Sequence, residues 1–427
     1  MTSVQNHLQP SSGNNILKNT LIAISAAVVL GAASCSPKTT VLRNPNIPGN
    51  VGKTEEVIPD VADKEKDKAR EMLLAKERNI ALLLPFQLDL IAGNDVQEKD
   101  VKRSALALDF YQGFQLGLEE VARKGKPFRL KVIDSKDNPT YNASLASAED
   151  VSQAGIVVGP VYPQEIRAFG RNVVDENKWI VNPLAASPAS DFNISNLITV
   201  TPSIYAHMEA VATKVAEEYK IGDVVIIYQT TDSDSKQFLT GMATAIREKK
   251  YNAHVVTVSS LEQLNEKLTQ AGNNIIISGT TDKTSLNNLI SALTKKKSEY
   301  YSIRLFGHPL WDRFDFSNHP SFSDLNPTIS TESNLKPWTS AVRQFRELYR
   351  QKYGVMPSDQ SYKGYDVAVF FGTLINKYGL ENLKAKLETE TYNGIYNTYK
   401  FTYNETWGFA NMAVSFKEYI HGSFQLQ

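Results

Sequence analysis

The alternation of short apolar runs with amphipathic segments constrains the fold of this chain more than any other feature. Residues 80–84, 156–159 and 224–228 are almost wholly apolar, which is typical of strands buried on both faces of a parallel sheet. Between such runs apolar residues recur every three or four positions, as at Leu106 and Phe110, and this spacing predicts helices with one buried face. The pattern therefore predicts an α/β fold in which helices cover parallel sheets on both sides.

The same alternation runs through the chain twice. Strand and helix patterns alternate over residues 79–200 and begin again with a helix near Tyr205. Two further helices are predicted at 338–353 and 360–377, and the alternating apolar and polar residues of 396–419 predict a terminal β-hairpin. The repetition predicts two α/β lobes of similar size, with a C-terminal section that packs on them.

The amino terminus has the pattern of a secretory signal. Lys18 is the only charged residue before position 38, and residues 21–33 are apolar or small. A run of about 13 residues is too short for a membrane span, which needs about 20 residues of helix. The run ends in small residues directly before Cys35, the only cysteine, so we expect cleavage after Ser34.

The residues around this cleavage point resemble the lipobox of bacterial lipoproteins. Residues 32–35 read Ala-Ala-Ser-Cys, and the resemblance implies that Cys35 is lipidated and becomes the new amino terminus. Residues 35–78 are then an extended, proline-containing linker. The expected location is the bacterial cell envelope, at the outer membrane facing the periplasm, with the lipid as the only membrane attachment. The alternative interpretation is a buried free cysteine beside a chance apolar run.

Charge and cysteine content exclude several classes of protein. The 46 Lys and Arg residues balance 46 Asp and Glu residues, so a large basic face for nucleic acid is not expected. A single cysteine excludes a disulfide framework, a cysteine zinc site and an iron–sulfur cluster.

No catalytic or metal-binding motif emerges from the sequence. There is no G-x-S-x-G elbow, no phosphate-binding loop and no G-x-G-x-x-G turn, and the six histidines are isolated. His308 and His319 flank Asp312, but their spacing fits no standard ligand set. Residues 230–236 place two aspartates where a helix needs capping groups. We therefore expect neither an enzyme nor a bound metal or cofactor.

Ligands of open parallel sheets bind beyond the carboxyl ends of the strands. In this chain those positions are rich in neutral hydrogen-bonding and aromatic residues, which suits reversible binding of a small polar molecule between two lobes. The residues predicted to line this site are Gln87, Tyr162, Ala186, Ser187, Gln229, Thr230, Thr280, His308 and Trp311.

Several segments together resemble the type I periplasmic-binding fold. They are IALLLPF at 80–86, DFYQGFQLGLEEV at 109–121, VVGPVYPQE at 157–165, IVNPLAASP at 180–188 and the late helix SYKGYDVAVFFGTLI at 361–375. The resemblance implies two lobes joined by three crossings, near 200–203, 311–324 and 389–394. The first lobe would comprise 79–200 plus about 322–388, and the second 201–321 plus about 389–427, including the C-terminal hairpin.

Two branches of this family imply different functions. In branched-chain amino-acid-binding proteins of ABC transporters, hydroxyl residues after two first-lobe strands and an acid from the second lobe hold the ligand. The corresponding places here fall at 161–163, 185–187 and 308–309, where Ser187 keeps a hydroxyl and no carboxylate is present. An ammonium group buried there without a counter-charge would be costly. This branch implies a receptor for a small polar solute, although not one that holds an amino acid in the usual manner.

The second branch comprises outer-membrane lipoproteins that activate penicillin-binding proteins. The segment VVGPVYPQEI at 157–166, followed by WIVNPLAAS at 179–187, is similar to a turn and strand of those proteins. Members of that branch act by touching a partner, so this resemblance implies docking on a cell-wall synthase without a ligand in the cleft.

Overall fold

The computed structural model describes residues 76–91, 96–175 and 177–427. Within them, two seven-stranded sheets flanked by helices form two lobes, which confirms the predicted α/β architecture. The predicted signal, Cys35 and most of the linker lie outside the described residues.

The elements are numbered here in chain order. The strands are β1 (Asn79–Leu84), β2 (Arg129–Asp134), β3 (Ile156–Val158), β4 (Trp179–Asn182), β5 (Leu197–Thr199), β6 (Val224–Tyr228), β7 (Val255–Val258), β8 (Asn273–Ser278), β9 (Ser302–Gly307), β10 (Thr328–Thr331), β11 (Tyr392–Asn393), β12 (Thr398–Tyr399), β13 (Phe401–Asn404), β14 (Gly408–Asn411), β15 (Ser415–Ile420) and β16 (Ser423–Leu426). The helices are α1 (Glu98–Lys124), α2 (Pro139–Leu145), α3 (Glu149–Ser152), α4 (Pro163–Gly170), α5 (Ile204–Glu218), α6 (Ser233–Leu239), α7 (Met242–Lys249), α8 (Leu261–Lys267), α9 (Lys283–Ser298), α10 (Ser340–Tyr353), α11 (Asp359–Tyr378) and α12 (Leu383–Thr389).

Both sheets have the same plan. The first has the order β13-β14-β5-β4-β3-β1-β2 and the second β16-β15-β10-β9-β8-β6-β7. Strands β1 to β5 pair in parallel, as do β6 to β10, and an antiparallel hairpin extends one edge of each sheet. The apolar strands β1 and β6 lie inside their sheets and are buried, as expected of strands covered on both faces.

The C-terminal section departs from the predicted single hairpin in the second lobe. It forms two hairpins: β13–β14 joins the first sheet, where Phe409 lies opposite Ile198, and β15–β16 joins the second, where Phe416 lies opposite Ser330. The predicted second-lobe segment 389–427 is therefore divided between the lobes. Alternation of apolar and polar residues predicts a strand but carries no information about which sheet edge the strand joins.

The second predicted crossing is also misplaced. The segment 309–325 stays in the second lobe, because Trp311 and Phe322 are fully buried in its core and β10 then pairs with β9. The chain passes between lobes at 200–203, as predicted, and then at 332–339 and 412–414. As expected, α10 and α11 complete the first lobe by packing against α1.

Close packing of α1 and α11 sets the position of the start of α11. Both helices carry glycines at their contact: a Cβ on Gly113 would overlap the carbonyl of Ser361, and one on Gly364 would overlap the carbonyl of Phe110. The two backbones therefore approach as closely as glycine allows. The first residues of α11 are held against the first lobe in this way.

Helices α2 and α3 connect β2 to β3. The side chain of Asn138 caps α2 by accepting from Tyr141 N at 2.9 Å. Helix α4 follows β3 and ends at Gly170.

Candidate functional site

A cavity of about 730 Å³ opens between the two lobes. Its size falls in the range of about 300–1,000 Å³ that is typical of ligand sites. The first lobe contributes Ala186, in the loop after β4, and the start of α11. The second lobe contributes the ends of β9 and β10 and the final hairpin, and the crossing segments complete the walls. The residues that line the cavity include Ala186, His207, Asp312, Arg313, Ser330, Glu332, Trp338, Asp359, Lys363, Tyr396 and Lys417.

Charged side chains of both signs line the cavity. Lys363 on α11 is buried, and its Nζ lies 2.5 Å from Oε1 of Glu332 in the crossing segment. In the second lobe, Lys417 Nζ lies 2.6 Å from Asp312 Oδ2. Three cationic and three anionic side chains contribute in all, so the lining has no net formal charge. Such a site suits a ligand that is neutral or carries both charges.

A buried carboxylate organises one wall of the cavity. Asp366 on α11 is fully buried and accepts hydrogen bonds from the backbone N–H groups of Ile395, Tyr396 and Asn397 at 3.0, 2.8 and 2.7 Å. The hydroxyl of Tyr392 donates to it at 3.2 Å. Burial raises the pKa of Asp366 to about 6, against the opposing effect of these donors.

This arrangement places Tyr396 at the cavity. Its ring stacks on Tyr362 with centroids 6.0 Å apart, and Lys363 Nζ lies 5.8 Å from its centroid. Its backbone carbonyl accepts from Asn334 N in the crossing segment at 2.6 Å. Burial and the nearby carboxylates of Glu332 and Asp359 raise the pKa of the Tyr396 hydroxyl. Tyr396 therefore links the first lobe to a crossing segment and presents a neutral aromatic wall.

The structure brings only one of the predicted ligand residues, Ala186, to this cavity. The hydroxyl groups of Thr230 and Thr280 instead donate to Asp232 Oδ2 at 2.6 and 2.9 Å. These hydrogen bonds hold both side chains within the second lobe. Trp311 is fully buried and its Nε1 donates to the carbonyl of Thr280 at 2.7 Å. The predicted capping role of 230–236 is confirmed, because Asp232 accepts from Ser235 N at the start of α6.

The remaining predicted residues are half-buried and dispersed along the strand ends. Gln87 donates its backbone N–H to Asp134 Oδ1 at 3.0 Å, and Gln229 N donates to the carbonyl of Val258 at 2.9 Å. Tyr162 precedes α4, and Ser187 adjoins Ala186. None of these four side chains lines the cavity.

Two buried histidines adjoin the cavity from the second lobe. His207 Nδ1 lies 2.9 Å from Ser330 Oγ, and His308 Nδ1 accepts from Leu310 N at 3.1 Å. Burial lowers the pKa of His207 to about 3 and that of His308 to about 4, so both rings are neutral at neutral pH. His319 lies apart, against Asn287 Oδ1. Within residues 76–91, 96–175 and 177–427 no group of three or more His, Cys, Asp or Glu residues is placed to hold a metal ion.

The charged residues that line the cavity are absent from the set predicted from the sequence. Glu332 directly follows β10, so the rule about strand ends would have found it had that strand been recognised. Asp359 and Lys363 lie on a helix far along the chain, and only the packing of α11 on α1 brings them to the site.

No helix within the described ranges is both long enough and apolar enough to cross a bilayer.

A family model described as periplasmic binding protein matches residues 103–419, well over half of the chain. The chain belongs to the periplasmic binding protein family. Members of this family bind solutes and are not enzymes, which agrees with the expectation from the sequence. Among curated protein sequences, none matches the chain.

Solved structures support the same fold. An ABC transporter substrate-binding protein from Desulfitobacterium hafniense, in complex with Leu, is 17% identical with a TM-score of 0.51, and the match covers 82% of this chain and 99% of that one. An ABC-type branched-chain amino acid transporter protein from Rhodopseudomonas palustris is 14% identical with a TM-score of 0.54, over 82% of this chain and 94% of that one. The type I periplasmic-binding fold expected from the sequence is thereby confirmed.

Proposed function

We propose that this protein is a lipid-anchored receptor of the cell envelope that binds a small polar solute between its lobes, as the substrate-binding component of an ABC transporter. The cavity lined by both lobes carries this proposal, because a ligand that contacts both walls favours the closed state. Two similar structures support the choice of function: one is described as an ABC transporter substrate-binding protein in complex with Leu, and the other as an ABC-type branched-chain amino acid transporter.

The charged lining supplies counter-charges for an ammonium group, which the usual ligand-binding positions lack. The place after β9 where related receptors would supply an acid holds His308 and Pro309, and His308 is neutral. Glu332 and Asp359 nevertheless bring carboxylates to the cavity from elsewhere in the chain. An ammonium group on a solute therefore has counter-charges available, although not at the usual place.

We expect a stabilising ligand to raise the melting temperature of the lipid-free chain, residues 36–427. A ligand at 100 times its Kd stabilises the folded state by about 2.7 kcal/mol. A protein of this size shifts by roughly 2–4 °C for each kcal/mol. The measurement is thermal unfolding with free amino acids, short peptides, nucleosides and cell-wall fragments, after removal of co-purified ligand by refolding.

A shift with one chemical class, lost in Lys363→Met but kept in the exposed control Lys267→Met, would support the receptor. A flat response to every class would contradict it. That outcome would favour the second candidate from the sequence, a regulator that docks on a cell-wall synthase.

Replacing Cys35 with Ser should release the protein from membranes. We expect the wild-type chain to incorporate labelled palmitate and to fractionate with membranes, whereas Cys35→Ser does neither, because the thiol is the only attachment point for the lipid. Ser36→Ala is the matched control and should stay anchored. Membrane retention of Cys35→Ser without incorporated lipid would show that another segment holds the protein.

A further inference from the structure

Among the residues that the structure describes, two charged side chains of the cavity make no ion pair, whereas the other four do. Lys363 pairs with Glu332 and Lys417 with Asp312, but Arg313 and Asp359 make no ion pair within the described part of the chain. Both are exposed, and both line the cavity. They are therefore the charges that a bound ligand can neutralise without breaking an existing pair.

These two residues stand on opposite lobes. Asp359 begins α11, which packs on α1 of the first lobe, whereas Arg313 ends the turn that follows β9 in the second lobe. A ligand with a cationic group at Asp359 and an anionic group at Arg313 contacts both lobes and so favours closure. A ligand with only one charge would leave the other residue without a counter-charge as water is excluded, which is costly.

The size of the cavity restricts the ligand further. A sphere of the same volume is about 11 Å across, and an extended chain advances at most about 3.3–3.6 Å per residue, so about three residues span it and two residues fit inside it. A free α-amino acid carries both charged groups on one Cα and is shorter than the cavity is wide. Apolar side chains also line the cavity, including Leu335, Phe424 and Trp338, which is 64% exposed.

We propose that the cavity selects a short peptide of two or three residues, with its terminal ammonium group at Asp359 and its terminal carboxylate at Arg313. The proposal rests on the proposed function and assigns the class of solute. Arg313 provides the bidentate geometry that suits a carboxylate. The side chains of the peptide face the apolar part of the wall, including Trp338.

The test is calorimetric titration of the mature chain carrying Cys35→Ser, which removes only the lipid. The ligands are Ala-X-Ala peptides, where X is each standard amino acid in turn, and the corresponding free amino acids. The tightest peptide is then measured with its amino terminus acetylated and, separately, with its carboxyl terminus amidated. Each form is titrated into wild type, Asp359→Asn and Arg313→Gln, with Asp324→Asn and Arg171→Gln as exposed controls that leave the cavity unchanged.

We expect each blocking group to weaken binding to wild type and to both controls at least tenfold. Acetylation should have no further effect on Asp359→Asn, and amidation none on Arg313→Gln, because the matching charge is already gone. Binding of a free amino acid as tight as that of the best peptide, or tight binding of both blocked peptides, would overturn this inference and leave the receptor function standing. Absence of binding by every peptide would also overturn this inference, and together with a flat response to the whole panel in the thermal unfolding experiment it would overturn the receptor function as well.

Discussion

Asp366→Ala is expected to lower the free energy of unfolding by about 3 kcal/mol or more. The substitution leaves the buried backbone N–H groups of Tyr396 and Asn397 without their acceptor. The half-buried N–H of Ile395 and the Tyr392 hydroxyl lose the same acceptor. Each unsatisfied buried group costs about 1–3 kcal/mol, and part of this total is offset because the buried charge is also removed. Urea unfolding at pH 7.5 measures the difference.

Two variants distinguish the loss of acceptors from a general effect of substitution. Asp366→Asn keeps one acceptor oxygen and should fall between wild type and Asp366→Ala. Asp324→Ala removes an exposed carboxylate and should change stability by no more than about 0.5 kcal/mol. If Asp366→Ala cost less than about 1 kcal/mol, the carboxylate would not be what holds the 395–397 segment.

The same variant should weaken ligand binding, because Tyr396 loses its support at the cavity wall. The segment bonded to Asp366 also accepts from Asn334 in a crossing segment, so its release affects the lobe junction as well as the wall. Asp366 does not line the cavity and acts only through its neighbours. Measured at a temperature where every variant is fully folded, a loss of affinity in Asp366→Ala that Asp366→Asn partly recovers is a readout that a purely global loss of stability would not produce.

Acidification is expected to destabilise the wild-type chain more than His207→Gln. Burial lowers the pKa of His207 to about 3 in the folded protein, whereas an unfolded histidine titrates near 6.5. Below pH 6.5 the unfolded chain takes up a proton that the folded chain does not. The free energy of unfolding therefore decreases as the pH is lowered from about 6.5 to about 3. At pH 5 this amounts to about 2 kcal/mol for one such histidine.

The measurement is urea unfolding of both proteins between pH 7.5 and 4.5, and the quantity compared is the difference in stability at each pH. His308 also lowers the free energy of unfolding on acidification, because burial lowers its pKa to about 4 in the folded protein. Asp366 acts in the opposite sense, because its pKa is raised and the cost of its buried charge is relieved below about pH 6. Both contributions are common to the two proteins and cancel in the difference. The exposed residue His254 supplies the control, since His254→Gln should keep the wild-type slope; an equal slope in His207→Gln would contradict the prediction.

The residues at the strand ends show how much of the site can be predicted from local sequence patterns. Ala186 was found because it follows β4, a strand whose apolar run is visible in the sequence. Thr280 and Trp311 satisfy the same rule, yet they hydrogen-bond to each other in the second-lobe core. A position after a strand predicts access to the edge of the sheet, but it does not predict whether neighbouring side chains bury the residue.

The charged lining depends on contacts between distant segments. Lys363 and Glu332 are 31 residues apart and meet only because α11 packs on α1 beside the second crossing. No local periodicity relates the two residues, so their ion pair cannot be predicted from patterns in the sequence.

The local pattern of residues predicts the α/β class, the two lobes and the first crossing, because burial of a strand or a helix face leaves a period in neighbouring residues. It also carries the whole argument for lipidation at Cys35, which lies in a local motif. The folded structure is needed to know which sheet each C-terminal hairpin joins, which strand-end residues are buried, and which of the cavity's charges form ion pairs. These properties arise from pairing between segments far apart in the chain, and their free energies depend on neighbours that a local pattern does not contain.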